Sequence, residues 1–354
     1  MTSYLPGRIR RREFCGGIAA TLLTDFGNAQ AKDGRGFATP YKYGKLVLSG
    51  SNVPGEFDSM SVDDPFVFSF NGGFYMTYVG FDGIGYQTGL ASSADLVNWK
   101  KEGCILHRDE KSAAIKYNVA MTWIVRDNAL YGPGQLTRIG GKYVGAYTAY
   151  PGSGYEQGAG VIGLCRSTDL SHWQIEEPCL LPQSGAPWEQ GGLYKICLVH
   201  DEGKLYLFYN AKNRTAQPWN EQTGVAISHD LKTWQRFSGN PTIANGPPES
   251  PDCRFASNPC VLKNGKVWAF YYFGLDNHGV ARDLLATGPD LLHPQKSDQI
   301  MLDVGPPGSV DSAYAHKPSM FAHQSILYHF YCAVSKQDGK YTRGISVARS
   351  QPWS

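Results

Sequence analysis

The chain has 354 residues, a formal net charge of +2, and 42% hydrophobic against 18% charged residues. That balance fits a folded protein with a sizeable core and excludes a disordered chain or a nucleic-acid binder built on basic patches. No apolar run approaches the ~18 residues a membrane-spanning helix needs, so no membrane span is expected. High Gly, Tyr and Trp content (41, 21 and 8 residues) without long helix-period stretches points to an all-β protein with many turns.

The first segment reads as an address. Arg8, Arg10, Arg11 and Arg12 precede an apolar stretch from Gly16 to Leu23, and Ala29-Gln30-Ala31 has the small-x-small pattern of a cleavage site. Arg11-Arg12-Glu13-Phe14 is similar to the twin-arginine export motif of bacteria. Residues 1–31 are therefore expected to be an export signal, and residues 32–354 a single periplasmic or secreted domain. The eight cysteines show neither CxxC spacing nor a Cys/His metal pattern. Most read as small buried hydrophobes, with Cys253 and Cys260 a candidate disulfide.

From Val62 onward one unit recurs five times. A turn leads into an aromatic strand at Gly72-Gly73-Phe74-Tyr75, Gly140-Gly141-Lys142-Tyr143, Gly203-Lys204-Leu205-Tyr206 and Gly265-Lys266-Val267-Trp268, and more weakly at Ser325-Ile326-Leu327-Tyr328. A second marker closes the copies: Asp95-Leu96-Val97-Asn98-Trp99, Asp169-Leu170-Ser171-His172-Trp173 and Asp230-Leu231-Lys232-Thr233-Trp234. It is degenerate at Asp290-Leu291 and ends at Trp353. Two markers with one period of roughly 60 residues predict a five-bladed β-propeller with four-stranded blades. In the closing marker Asp is expected to cap a turn and Trp to pack between blades. Residues 32–61, ahead of the first copy, are positioned to supply a strand that closes the ring.

In such a fold the first strand of each blade begins near the axis, where the loops between second and third strands also open. The first-strand starts read as Asp64-Pro65, Gly132-Pro133, Lys195, Asn258-Pro259 and Lys317-Pro318. One repeated unit carrying different polar groups at one axial position is what a built site looks like. The neighbouring loops and entry segments add Asp63, Trp123, Arg126, Asp127, Glu156, Trp188, Glu189, Trp219, Glu221, Arg254, His278 and His316. Aromatic faces stack on sugar C–H surfaces, and carboxylates serve hydroxyls or catalysis, so this set is suited to a carbohydrate. Glycosidic hydrolysis needs one protonated and one ionised carboxyl group.

The five-copy pattern, with Asp64-Pro65-Phe66-Val67 opening the first copy and Asp-Leu-x-x-Trp closing copies, resembles the five-bladed propeller glycosidases: glycoside hydrolase family 43 and relatives such as families 32, 117 and 130. The resemblance covers roughly residues 60–354 and marks a divergent member. It implies that Asp64 is the general base. It implies an acid from a Glu opening the third blade, for which Glu189 is the nearest match and Glu221 and Glu156 are alternatives. The family's third residue, an Asp opening the second blade, has Gly132 at its expected position, with Asp127 nearby to substitute. A blade-five His in the family lies under the pocket, sometimes beside a metal ion, and His316 stands there. The expected activity is removal of a terminal sugar from a plant or algal oligosaccharide, with inversion. No cofactor is expected apart from a structural metal near His316. Lys317, Arg254 and Lys195 leave open an acidic sugar, or phosphate as attacking group. A glycoside phosphorylase and a non-catalytic sugar-binding propeller are the alternative readings. The oligosaccharide is the expected partner, and the sequence is silent on oligomeric state.

Overall fold

The computed structural model describes residues 36–353. The expected export signal lies outside the described residues. Two short strands come first, β1 (Tyr41–Lys42) and β2 (Leu48–Ser49). Unit one comprises β3 (Ser61–Phe70), β4 (Gly73–Phe81), β5 (Tyr86–Ser93) and β6 (Trp99–Leu106). Unit two comprises β7 (Ala120–Ile124), the two-residue β8 (Arg138–Ile139), β9 (Lys142–Ala149), β10 (Val161–Ser167) and β11 (Gln174–Ile175). Unit three has β12 (Leu193–Asp201), β13 (Lys204–Asn213), β14 (Asn220–Ser228) and β15 (Gln235–Arg236). Unit four has β16 (Phe255–Asn264), β17 (Val267–Leu275), β18 (Ala281–Gly288) and β19 (Gln295–Leu302). Unit five has β20 (Tyr314–His323), β21 (Ile326–Gln337) and β22 (Lys340–Arg349). Its fourth position is filled from the other end of the described chain: β1 and β2 both pair antiparallel with β22, as Tyr41↔Arg349 and Leu48↔Ile345.

Each unit is an antiparallel meander, and its turns explain the first sequence marker. Asn71-Gly72, Gly140-Gly141 and Glu202-Gly203 all place two consecutive residues at positive φ, as a tight hairpin turn matching strand twist requires. The fifth copy looks weak in sequence because Gln324-Ser325 adopts the same backbone without glycine. The second marker is a capped turn. Asp95 accepts hydrogen bonds from the Val97 and Asn98 amides, the Ser93 hydroxyl accepts from Leu96, and the Trp99 indole donates to the Leu96 carbonyl. The bonds recur at Asp169 and in part at Asp290, so the degenerate fourth copy keeps its cap. Trp99 also meets Phe330 of unit five edge-on, which links neighbouring units.

Burial falls from the first strand to the fourth. Val62–Phe68, Leu193–Val199 and Ala315–Ala322 are almost wholly buried, whereas β6 is mostly half-buried and β19 largely open to solvent. A strand covered on both faces reads as an apolar run, as these do beyond their polar bulges: Phe66-Val67-Phe68, Ile196-Cys197-Leu198-Val199 and Met320-Phe321-Ala322. They pack in a succession that returns to its start: β3 on β7, β7 on β12, β12 on β16, β16 on β20 and β20 on β3. The largest buried cluster draws on all five units, from Phe66 through Met121, Ile196 and Val261 to Met320.

Every first strand carries a β-bulge at the same level. Register slips between Asp63 and Phe66, Met121 and Trp123, Tyr194 and Cys197, Ser257 and Cys260, and His316 and Ser319. Four of these slips skip two residues, the first being Asp64, Lys195, Asn258 or Lys317, each at positive φ, and unit two skips Thr122 alone. A bulge removes the need for a ladder N–H, which is why proline can follow in three of the five. Gly132 is not one of these positions. The first strand of unit two is Ala120–Ile124, and Gly132 lies on the connection beyond it, against Asp127. All seven described cysteines are free, Cys253 and Cys260 included. Among the described residues no helix is long and apolar enough to cross a membrane.

Candidate active site

The bulges turn side chains out at the head of the first strands, and there charge accumulates. The Lys317 ammonium donates to Asp63 at 2.5 Å and to Asp64 at 3.1 Å, and the Arg343 guanidinium also binds Asp63. All but Arg343 are largely buried. Burial resists the charge on Asp63, yet Lys317 and Arg343 hold its carboxyl well below the usual carboxylate range. Asp64 goes the other way. Burial, with the Asp63 charge adding and Lys317 opposing, raises its pKa. Asp64 Oδ2 faces Lys317, while Oδ1 is buried without a protein partner. The backbone amide of Asp64 is tied to Asp63 Oδ1 at 2.9 Å, which orients the pair.

Asp63, Lys317 and Arg343 of this cluster line a cavity of about 610 Å³ together with Glu156, Lys212, Arg214 and Trp219, and Asp64 adjoins it through Lys317. Glu156 enters from the loop between β9 and β10, at positive φ, 3.7 Å from the Lys195 ammonium and 3.6 Å from that of Lys212. Burial opposes its charge, but Lys195, Lys212 and Lys317 together hold its pKa below the ordinary glutamate value. Lys212 lies over the Trp219 ring at 4.2 Å, and Trp219 packs on Phe255. Behind the cavity wall, Glu221 is buried and accepts from the Tyr194 hydroxyl at 2.7 Å, Asn210 at 3.0 Å and Ser257 at 2.9 Å. Burial first, then the Lys317 charge, hold the His316 imidazole well below its usual range, and its Nδ1 meets the Cys332 carbonyl. Among the described residues no group of three or more His, Cys, Asp or Glu is arranged to hold a metal.

Several expected residues lie elsewhere. Glu189 closes a short 3-10 turn, Pro187–Glu189, and is buried against unit three's outer strand. It accepts from the Tyr209 hydroxyl, from Arg236 Nε at 3.0 Å and from the Ala186 amide at 2.7 Å. Trp188 packs against the main core beside it. Asp127 borders a separate cavity with His200 and Lys263. Arg126 is a buried strut whose guanidinium donates to the Val67 and Met320 carbonyls, with Trp123 and Phe66 stacked against it. Arg254 donates to the Trp219 carbonyl and so supports the wall from outside. His278 sits exposed on its turn, and Asn258 occupies the bulge of unit four. Arg343 was not among the sequence candidates. It lies near the chain end in the last strand, where only its pairing with Asp63 reveals it.

The profile described as Glycosyl hydrolases family 43 matches residues 58–348. A 1,2-beta-oligomannan phosphorylase of Thermoanaerobacter sp. (strain X514) is 26% identical over 163 residues, 45% of this chain and 44% of that protein. The chain thus matches about half the length of its curated relatives. Among solved structures, a complex of BT0996 with RGII is 27% identical with a TM-score of 0.77, covering 90% of this chain and 93% of the other. A structure from work on the GH130 family of mannoside phosphorylases and its hydrolases acting on beta-1,2 mannosidic linkages in Candida mannan shares the fold. It is 14% identical, with a TM-score of 0.63 over 90% and 96% of the chains. With nearly the whole described sequence matched, the chain belongs to glycosyl hydrolases family 43.

Proposed function

We propose that this protein is a glycosidase that removes a terminal sugar from a plant or algal oligosaccharide, in a cavity at the axial mouth of a five-bladed propeller. Closed succession of the first strands supports the propeller, and the leader-like residues 1–31 support export to the periplasm or beyond. The observation that carries the activity is a cavity lined by Glu156, Asp63 and Lys317, with Asp64 held beside it by Lys317, in which Glu156 is pushed below and Asp64 above the ordinary carboxylate range. Glu156, kept ionised by Lys195 and Lys212, takes a proton from water as its oxygen bonds to the anomeric carbon. Asp64, which keeps its proton to higher pH than an ordinary aspartate, gives it to the leaving oxygen as the C–O bond breaks. This exchanges the base role that the family resemblance implies for Asp64, and replaces Glu189 with Glu156. Inversion at the anomeric carbon follows if the water attacks opposite the leaving group.

The test is a screen for released reducing sugar, starting with oligosaccharides prepared from RGII, which is named with the relative of 27% identity. On the substrate found, Asp64→Asn and Glu156→Gln are each expected to lower kcat by ~10²–10⁴-fold. Full activity in either variant refutes the assignment. A second reading, phosphorolysis, is favoured by the cations Lys195, Lys212, Arg214, Lys317 and Arg343 around one cavity and by the matched oligomannan phosphorylase. Turnover that requires phosphate and yields a sugar phosphate would decide for it.

A further inference from the structure

The axial cavity continues past Arg343. A second cavity of about 620 Å³ shares Arg343 and Tyr155 with it and runs between unit five and the segment leading into β3. Its character differs from the first. Arg343 is the one charged residue on its wall, and that group is already paired with Asp63. The remaining wall combines Tyr155, Tyr314 and Tyr341 with the short polar groups of Ser49, Asn52 and Thr342.

Large apolar side chains are rarely left in water without reason when they gather on one groove. Tyr341 is 56% exposed, Tyr155 49% and Met60 61%, and all three line this cavity. The rings are held. Tyr155 stacks on Phe81 at 3.8 Å and 23°, and Tyr341 lies nearly parallel to Tyr314 at 6.3 Å and 15°. Fixed aromatic faces beside an amide and hydroxyls match the C–H faces and hydroxyls of a neutral sugar ring. The one charge on this wall, Arg343, is engaged by Asp63, and among the described residues no carboxylate lines the groove to receive a cation.

We propose that this second cavity binds the leaving-group side of the oligosaccharide, as a platform for the neutral sugars that follow the scissile bond. The proposal rests on the glycosidase reading of the first cavity. Continuity through Tyr155 and Arg343 carries it: an oligosaccharide whose end sits above Asp64 and Glu156 has this groove as its uncharged exit.

The experiment compares wild type with Tyr341→Ala and with Tyr314→Ala, on RGII oligosaccharides, on size-fractionated neutral arabino-, galacto- and xylo-oligosaccharides, and on glycosyl fluorides, whose leaving group is a single atom. Tyr341 is exposed, so its replacement leaves the fold intact. Both variants are expected to lose ~10-fold in kcat/KM on trisaccharides and longer, mainly through KM, and to match wild type on the glycosyl fluorides. Equal losses on short and long substrates, or no loss on either, overturn the proposal. Saturation-transfer NMR separates the two readings. Wild-type binding of oligosaccharides without cleavage, lost for long substrates in Tyr341→Ala, upholds the groove and removes only the glycosidase. Wild-type protein that neither binds nor cleaves any of these probes removes both.

Discussion

Lys317 answers two buried carboxylates at once, at 2.5 Å and 3.1 Å. Removing one member of such a cluster leaves unpaired charge on largely buried carboxylates, so Lys317→Met is expected to cost ~3–5 kcal/mol in urea unfolding at neutral pH. The acid side gives the sign. Asp63 has a folded pKa below its unfolded value of about 4, so its contribution is present above that pH and fades as pH falls through the folded value. Asp64 is raised, and so contributes below about 4 and loses that contribution as pH rises through its folded value. Wild type should therefore lose the Asp63 contribution on acidification below about pH 4, and Lys317→Met should show a smaller acid loss. An unchanged acid slope in the variant contradicts the coupling. Glu189 gives the contrasting case. Its three hydrogen bonds fix the 3-10 turn against β15, so Glu189→Ala should cost ~2–4 kcal/mol in stability yet leave kcat per folded molecule unchanged. A collapse of kcat in folded Glu189→Ala would return it to the list of acids. In the sequence, Asp64 and Lys317 were visible because a proline follows each bulge. Gly132-Pro133 imitated the signal, whereas the true bulge at Thr122 has no proline to announce it. The neighbouring Pro187-Trp188 drew Glu189 into a turn several residues short of the Lys195 bulge.

At the scale of elements, the outer strand of unit five is built from two fragments of two residues each. Leu48 is nonetheless buried in the core shared with Val62, Phe330 and Ile345. Lys42 reaches Asp311 at 2.6 Å, and the Trp353 indole donates to the Tyr41 carbonyl. Deleting residues 1–50 should therefore lower the denaturation midpoint by far more than four paired residues suggest, and Leu48→Ala alone should cost ~2–4 kcal/mol. A wild-type midpoint in the deleted protein would show that unit five needs no partner strand. That this segment, which pairs with β22, would supply a strand was legible from its position ahead of the first repeat. Its pairing register was not, because two-residue strands leave no alternation to read. The outer strands β11 and β15 escaped the sequence for the same reason, while the long buried first strands announced themselves as apolar runs.

Across the whole molecule, repetition made the architecture readable and asymmetry made the site only partly so. Five copies of one turn and one cap spell out the number and order of units in the primary structure itself. The residues that depart from the repeat were harder to follow. Glu156 stands in a loop whose sequence does not repeat in the other units, and Arg343 gains meaning only where the last strand meets the first unit. The shared bulge carries a wider implication. Its register slip recurs under an aspartate, a threonine, two lysines and an asparagine, with a left-handed residue at all but the threonine. The scaffold thus holds four sockets of one backbone shape that carry three kinds of side chain. A new reaction can be written into such a molecule by exchanging these inserts, provided that each exchange leaves no buried charge unpaired. The lysines at Lys195 and Lys317 bear the steric cost of a left-handed backbone that aspartate or asparagine would bear more lightly, and they do so where a cation meets Glu156 or the Asp63–Asp64 pair.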